Sequence, residues 1–278
     1  MKNYFKTKKL FFCLLPFILL VSSCARKQEE TQPFAKKMTS SRRASHTQTV
    51  IGPEEADVAF SESELSCAEA LPTTLSRFRI VIDAGHGGQD GGAKSIVSPF
   101  IREKTLTLKT ALKVEEFLSS WGYDVRLTRK KDVFVPLLER VDFAEKCKCT
   151  LFVSIHFNST PKPTKAHGIE IYYFAKKKNS KDKVDRKMQI RAKRSTELAK
   201  HILKKMVAAT KSPSRGVHHG DFCVIRETTM PAVLVEGGFL SNQEEAKKLK
   251  NPNYLRFLAW SLAKGIDEYA KANVLGAN

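Results

Sequence analysis

The sequence predicts a single α/β domain, a twisted, mostly parallel or mixed sheet with helices on both faces. Three observations carry this. Short runs rich in Val, Ile and Phe recur from residue 78 onward, longer stretches with helical apolar spacing lie between them, and Gly-rich loops follow several of the runs. Strands alternating with helices build a sheet that is covered on both sides. A chain of 278 residues has room for one substantial core or two small ones.

Taken in order, residues 78–82 (Phe-Arg-Ile-Val-Ile) read as a buried strand ending in a glycine loop. Residues 104–121 place apolar side chains at 106, 108, 111, 112, 114, 117 and 118, the stripe of an amphipathic helix that Gly122 stops. Residues 123–128 form a second strand. Pro136 opens a second helix, ending near Lys146, and residues 150–156 follow as an apolar strand. Residues 169–174 read as a fourth strand. A basic segment with ten Lys or Arg between 176 and 194 precedes a helix over about 190–210. Strands at 222–225 and 232–235 and two helices between 243 and about 271 complete the domain, which is assigned to residues 77–272.

The net charge of +19 favours anionic partners such as nucleic acid, acidic lipid or wall polymers, and says nothing of fold. Lysines outnumber arginines 33 to 15 and are spread along the chain, which argues against nucleic acid, where base reading leans on clustered arginine. Lys2, Lys6, Lys8 and Lys9 precede an uncharged stretch over 10–23 that is too short to span a bilayer and has the form of an export signal. It ends in Val-Ser-Ser-Cys, which resembles a bacterial lipobox. Residues 1–23 are therefore expected to be removed and Cys24 to carry lipid, anchoring a single, monomeric chain on the periplasmic side of a membrane. Residues 24–76 hold six bases over 26–43, then six acids over 54–69, without apolar periodicity. Such a stretch is read as a flexible tether, too short for a second domain. Cys67, Cys147, Cys149 and Cys223 lie in the exported part; most are expected to be buried free thiols, and spacing alone does not choose a pairing.

Three polar residues stand where strands end: His86 in Asp-Ala-Gly-His-Gly-Gly, His156 in Ser-Ile-His-Phe-Asn, and Glu236 in Leu-Val-Glu-Gly-Gly-Phe. Loops at the carboxyl ends of strands converge on one crevice. Glu103 stands at the start of the first helix. Two imidazoles and one carboxylate compose a catalytic rather than a structural zinc site. Glu236, left unligated, then suits the general base, and Gly237 and Gly238 are expected to let substrate backbone approach it. The spacing holds no His-Glu-x-x-His, so locally the constellation is only a candidate.

The four segments 83–88, 102–104, 154–158 and 235–242 resemble, in order, the motifs of the zinc N-acetylmuramoyl-L-alanine amidases. Thr128–Asp132 with Leu138–Arg140, and Arg194–Ala199, match as well, so the resemblance covers roughly 78–270. It implies a phosphorylase/hydrolase-like α/β fold and one Zn2+ per chain held by His86, Glu103 and His156. It also implies Glu236 as the catalytic glutamate and cleavage of the amide joining N-acetylmuramic acid to the L-alanine of peptidoglycan stems, for wall remodelling and cell separation. Some such enzymes insert a helix whose acid blocks the metal. Here the corresponding interval, about 175–190, is short and basic and holds only Asp182 and Asp185, so self-inhibition of that kind is not expected.

Two alternatives stay beside this reading. Ser-x-x-Lys, a penicillin-binding signature, occurs at 159–162, 180–183 and 261–264, about as often as composition alone produces, and would imply a D,D-carboxypeptidase activity. A non-catalytic wall-binding protein on the same fold is the other.

Overall fold

The computed structural model describes residues 78–176 and 185–275. In chain order these form β1 (Arg79–Ala84), α1 (Glu103–Ser120), β2 (Asp124–Leu127), α2 (Leu137–Lys146), β3 (Leu151–Asn158), β4 (Ile169–Tyr173), α3 (Arg186–Thr210), β5 (Ser214–His219), α4 (Cys223–Arg226), β6 (Ala232–Phe239), α5 (Gln243–Lys250) and α6 (Pro252–Leu275). The expectations for the export signal, Cys24, the tether, Cys67, Ser180 and Asp182 lie outside the described residues.

The six strands make one sheet in the order β2-β1-β3-β6-β4-β5. The first four run parallel, β4 pairs antiparallel with β6, and β5 runs parallel to β4, so the sheet is mixed. Alternation along the strands divides the apolar residues between two cores. Ile80, Ile82, Val153, Ile155, Val233 and Val235 point to a large core shared with α1, α3 and α6. Val81, Phe152, Ala232 and Leu234 point the other way, to a smaller core with Ala144 of α2 and Val224 and Ile225 of α4. A period of two puts successive side chains on opposite faces, so a strand buried on both reads as an apolar run, as Ile80–Ile82 of β1 and Leu151–Val153 of β3 do.

Two elements differ from the sequence reading. Residues 222–225 do not form a strand: Cys223–Arg226 is a single helical turn whose Val224 and Ile225 fill the smaller core. The sixth strand is instead β5, Ser-Arg-Gly-Val-His-His, with no apolar alternation. It pairs only with β4 at the sheet edge and is largely exposed, so burial never demanded an apolar face there. The basic segment also yields to helix earlier than expected. α3 starts at Arg186, with the Asp185 carboxylate accepting from Lys187 N.

Candidate metal centre and catalytic carboxylate

His156 and Glu236 do not sit at strand tips, because β3 and β6 run on to Asn158 and Phe239. They are register partners, and Glu236 is in turn the partner of Glu170 on β4. Partners in register share a face, so His156, Glu236 and Glu170 form one row across three strands. Even-numbered residues of β3 and β6 point to the face of the smaller core. The polar row lies on that face, beyond Phe152 and Leu234 towards the carboxyl ends of the strands.

His86, Glu103 and His156 meet there. Their ligand-capable atoms all lie within 4.8 Å of one another. Glu103 Oε1 is 3.1 Å from His86 Nε2 and 2.9 Å from His156 Nδ1. Glu103 is buried at the first position of α1, where the helix dipole favours a carboxylate. Its oxygens accept from Ala93 N at 2.9 Å and Phe157 N at 3.1 Å. Burial pushes the Glu103 carboxyl up, but the two imidazoles outweigh it and hold the group well below the usual carboxylate range. His86 is fixed from behind by Asp90, whose Oδ2 lies 2.8 Å from Nδ1. Burial pulls the His86 imidazole down, yet Glu103 and Asp90 carry it above its ordinary value. Close approach requires glycine at two points. A Cβ on Gly85 would lie 2.3 Å from His156 Nε2, and one on Gly92 would lie 2.7 Å from both Glu103 Oε2 and His86 Cδ2.

The loop that carries His86 is held by two buried arginines. His86 itself has φ 61, an uncommon conformation for a side-chain-bearing residue. Arg140 donates to Asp83 Oδ1 and to the carbonyls of Ala84, His86 and Val135, at 2.7–2.9 Å. Arg129 donates to the carbonyls of Ala84, Gly85, Lys104 and Lys131 and to Thr107 Oγ1. Asp83 balances the charge of Arg140 and also accepts from Thr128 and Ser154 hydroxyls, both at 2.7 Å. Of these nine hydrogen bonds, five reach residues 83–86 and so fix the end of β1 and the loop that follows it.

Glu236 stands apart from this network. As a residue it is partly exposed, but its Oε2 is closed off from solvent and has no hydrogen-bond partner. Burial, then the Glu103 and Glu170 carboxylates, raise its carboxyl well above the usual range. Packing, independently of any substrate, already calls for glycine at 237. A Cβ on Gly237 would meet Phe157 at 3.0 Å and Leu258 at 3.2 Å, and Gly238 has φ 141. Gly237 permits close packing on the opposite face, and Gly238 takes the positive φ beside the irregular register that follows His156.

The four residues singled out from the sequence are therefore brought to one place. Four others there were assigned no role: Asp90, Arg129, Arg140 and Glu170. Asp90 follows His86 by four residues, and Glu170 interrupts the apolar run Ile-Glu-Ile-Tyr. A charge within a buried strand marks either a partner or a site, and that signal was available. Of the Ser-x-x-Lys serines, Ser261 is fully buried on α6 and donates to Leu258 O at 2.8 Å. Lys264 lies over the Trp121 ring, and Ser159 is exposed on a loop, so neither described pair forms an activated nucleophile. Cys147, Cys149 and Cys223 are free thiols; of these Cys149 is buried, which pushes its thiol up to about 12.

A mixed α/β sheet bearing two imidazoles, a shared carboxylate and a second, unpartnered glutamate defines a hydrolase centre suited to a divalent metal. Comparison with known proteins narrows the class. The family model described as Amidase_3, N-acetylmuramoyl-L-alanine amidase, matches residues 80–268. The endolysin of Bacillus phage SPP1 is 36% identical over 188 residues, covering 67% of this chain and 64% of that protein. The N-acetylmuramoyl-L-alanine amidase AmiA of Escherichia coli K12 is 33% identical, covering 68% of this chain and 75% of AmiA. The catalytic domain of CwlV, an N-acetylmuramoyl-L-alanine amidase of Bacillus (Paenibacillus) polymyxa, superposes with a TM-score of 0.61 at 40% identity, covering 70% of this chain and 98% of that one. The chain belongs to the N-acetylmuramoyl-L-alanine amidase family.

Proposed function

We propose that this protein is a zinc-dependent amidase that hydrolyses the bond between N-acetylmuramic acid and the L-alanine of the peptidoglycan stem peptide, in wall remodelling and cell separation. The observation that carries the reading is Glu236, a carboxylate with a shielded, unpartnered oxygen in the same row as His156. No hydrogen bond in the fold uses that oxygen, and an unsatisfied buried carboxylate atom beside a cluster of metal-ligating residues points to chemistry. Family membership and the fold of CwlV support the substrate class.

The donor set fits zinc. His86, Glu103 and His156 would hold the ion, three protein donors of the nitrogen and oxygen kinds that catalytic zinc sites use. Asp90 behind His86 and the two backbone N–H groups on Glu103 supply the outer hydrogen bonds that orient such ligands. When bound, zinc supplies Lewis acidity, polarising a carbonyl and making water acidic near neutral pH.

The remaining work falls to the protein. Glu236 takes the proton of the attacking water and passes it to the departing alanine nitrogen, a role typically worth about 10²–10⁴-fold. Its raised proton affinity suits both halves of that task, since a group that ionises too readily could not return the proton. Arg129 and Arg140 hold the His86 loop so that the imidazole need not be reorganised during turnover.

Export through residues 1–23, lipid at Cys24 and a tether over 24–76 would hold the monomeric catalytic domain, residues 77–272, near a membrane facing the wall. The basic n-region, the short apolar stretch and Val-Ser-Ser-Cys support this placement. Digestion of soluble wall fragments by the purified full-length chain, with chelator and then with added zinc, tests the activity. Release of free stem peptides that stops on chelation and returns with zinc fits the reading, whereas equal release under chelation contradicts it.

A further inference from the structure

We propose that Arg215 makes the enzyme selective for acidic stem peptides, by holding a free carboxylate on the residue that follows the scissile alanine. The inference rests on the amidase reading above and adds the residue that reads the substrate's charge.

Arg215 is the extra residue where the β4–β5 register slips, between partners Ile169–Ser214 and Glu170–Gly216. A bulge re-aims a side chain, and here it aims the guanidinium back across the sheet. Its Nε donates to Glu170 Oε2 at 2.7 Å, and its Cζ lies 4.9 Å from the centre of the Phe239 ring. These two contacts fix the side chain while leaving it 38% exposed. Only Nε is engaged with Glu170, so the terminal N–H groups remain for a planar anion, the geometry in which arginine surpasses lysine.

Glu170 is the register partner of Glu236, which places the guanidinium's anchor one strand, about 4.8 Å, from the catalytic carboxylate's strand. An extended peptide advances about 3.3–3.6 Å per residue, so the reach from the scissile amide is one to two residues. Glu170 is held firmly as the anchor of Arg215. Its carboxylate also accepts from Asn158 Nδ2 and from Tyr172 OH at 2.9 Å, and it is buried.

The neighbouring surface has the same preference. Arg215 packs against Gly168, and past that glycine opens a groove of about 870 Å³ whose lining includes Lys165, Lys211 and Lys248. The acids along the same groove are engaged: Glu245 accepts from Gly168 N and Phe239 N, and Glu244 pairs with Lys247. The groove's three lysines outnumber its two glutamates, which suits a peptide carrying further carboxylates.

The test uses the full-length chain and two muramoyl-L-alanyl peptides that differ only in the second residue, which bears a carboxylate in one and a carboxamide in the other. A charge-assisted pair gives an expected preference of about 10–100-fold in kcat/KM for the acidic substrate, carried mainly by KM. Arg215→Ala should bring the ratio near one, and Arg215→Lys should keep part of it. A folding defect would lower both rates together and leave the ratio unchanged. A ratio near one in the native protein, or one unchanged by Arg215→Ala, overturns the proposal. Should the native chain cleave neither substrate, the amidase reading fails by itself. Calorimetric Kd values for the same two compounds then decide the role of Arg215, with tighter acidic binding lost in Arg215→Ala supporting it and equal binding refuting it.

Discussion

Replacing Asp83 with Asn removes a single charge beneath the metal site and leaves its shape. Asp83 and Arg140 are 1% and 2% exposed and 2.7 Å apart. In the variant Arg140 stays in place, because it still donates to the carbonyls of Ala84, His86 and Val135. Its charge, however, is buried without a counterion, and breaking a buried pair in this way costs about 3–5 kcal/mol. For a domain of this size each kcal/mol moves Tm by about 2–4 °C, so a fall of roughly 6–20 °C is expected. The loss also carries a pH signature. Burial pushes the Asp83 carboxyl up, but Arg140, Ser154 and Thr128 outweigh burial and hold it below its ordinary value. A depressed folded-state pKa contributes stability that is present above the unfolded value, about 3.9, and disappears as pH falls through the folded value. Urea unfolding of chelated protein, followed by circular dichroism at pH 7 and then stepwise from pH 5 to 2.5, measures both effects. The gap between native and variant should be full at pH 7 and narrow only below about pH 4. A gap under about 1 kcal/mol at pH 7, or one that is constant down to pH 2.5, would refute the reasoning.

Three further outcomes follow from the same geometry. Asp90→Ala frees His86 Nδ1 and should weaken zinc affinity about 10–100-fold with little change in the stability of chelated protein, measured by competition with a fluorescent chelator. Glu236→Gln should stabilise the chelated protein at pH 8. The raised carboxyl favours folding while protonated, and that contribution is lost as pH rises through the folded-state pKa, so the advantage over native protein should vanish towards pH 4 in thermal scans. The purified full-length chain should digest wall fragments without any added protein. Of the two acids between 175 and 190, Asp185 is committed to capping α3, and Asp182 lies outside the described residues. Inert protein that responds only to a partner would contradict that expectation.

The sheet and the site were unequally legible. β1, β3 and β6 announce themselves because both faces are buried, which forces apolar stretches such as 80–82, 151–153 and 232–235. β5 leaves no apolar signal because an edge strand with one partner can be polar throughout. The turn at Cys223–Arg226 departs from the expected strand for the opposite reason: two apolar residues filling a core look alike in a strand and in one turn of helix. Within the site, His86, Glu103, His156 and Glu236 were legible as residue types beside strand ends and in family-like order. Their supporting arginines are legible only as family matches at 128–132 and 138–140, without a role. The arginines at 129 and 140 act through backbone carbonyls of residues about 25–55 positions away, and such pairings leave no local trace in sequence. Phe157 and Leu258, packed on the far side, give Gly237 a reason that its neighbours in sequence do not show.

The assignment of Glu236 is the centre of the account. Mass spectrometry of the products formed from a defined muropeptide by native full-length protein and by Glu236→Ala, both loaded with zinc and matched for metal content, tests it most directly. Native protein should release the stem peptide beginning at L-alanine, and the variant should do so about 10²–10⁴-fold more slowly with its zinc retained. Undiminished release by zinc-loaded Glu236→Ala would contradict it.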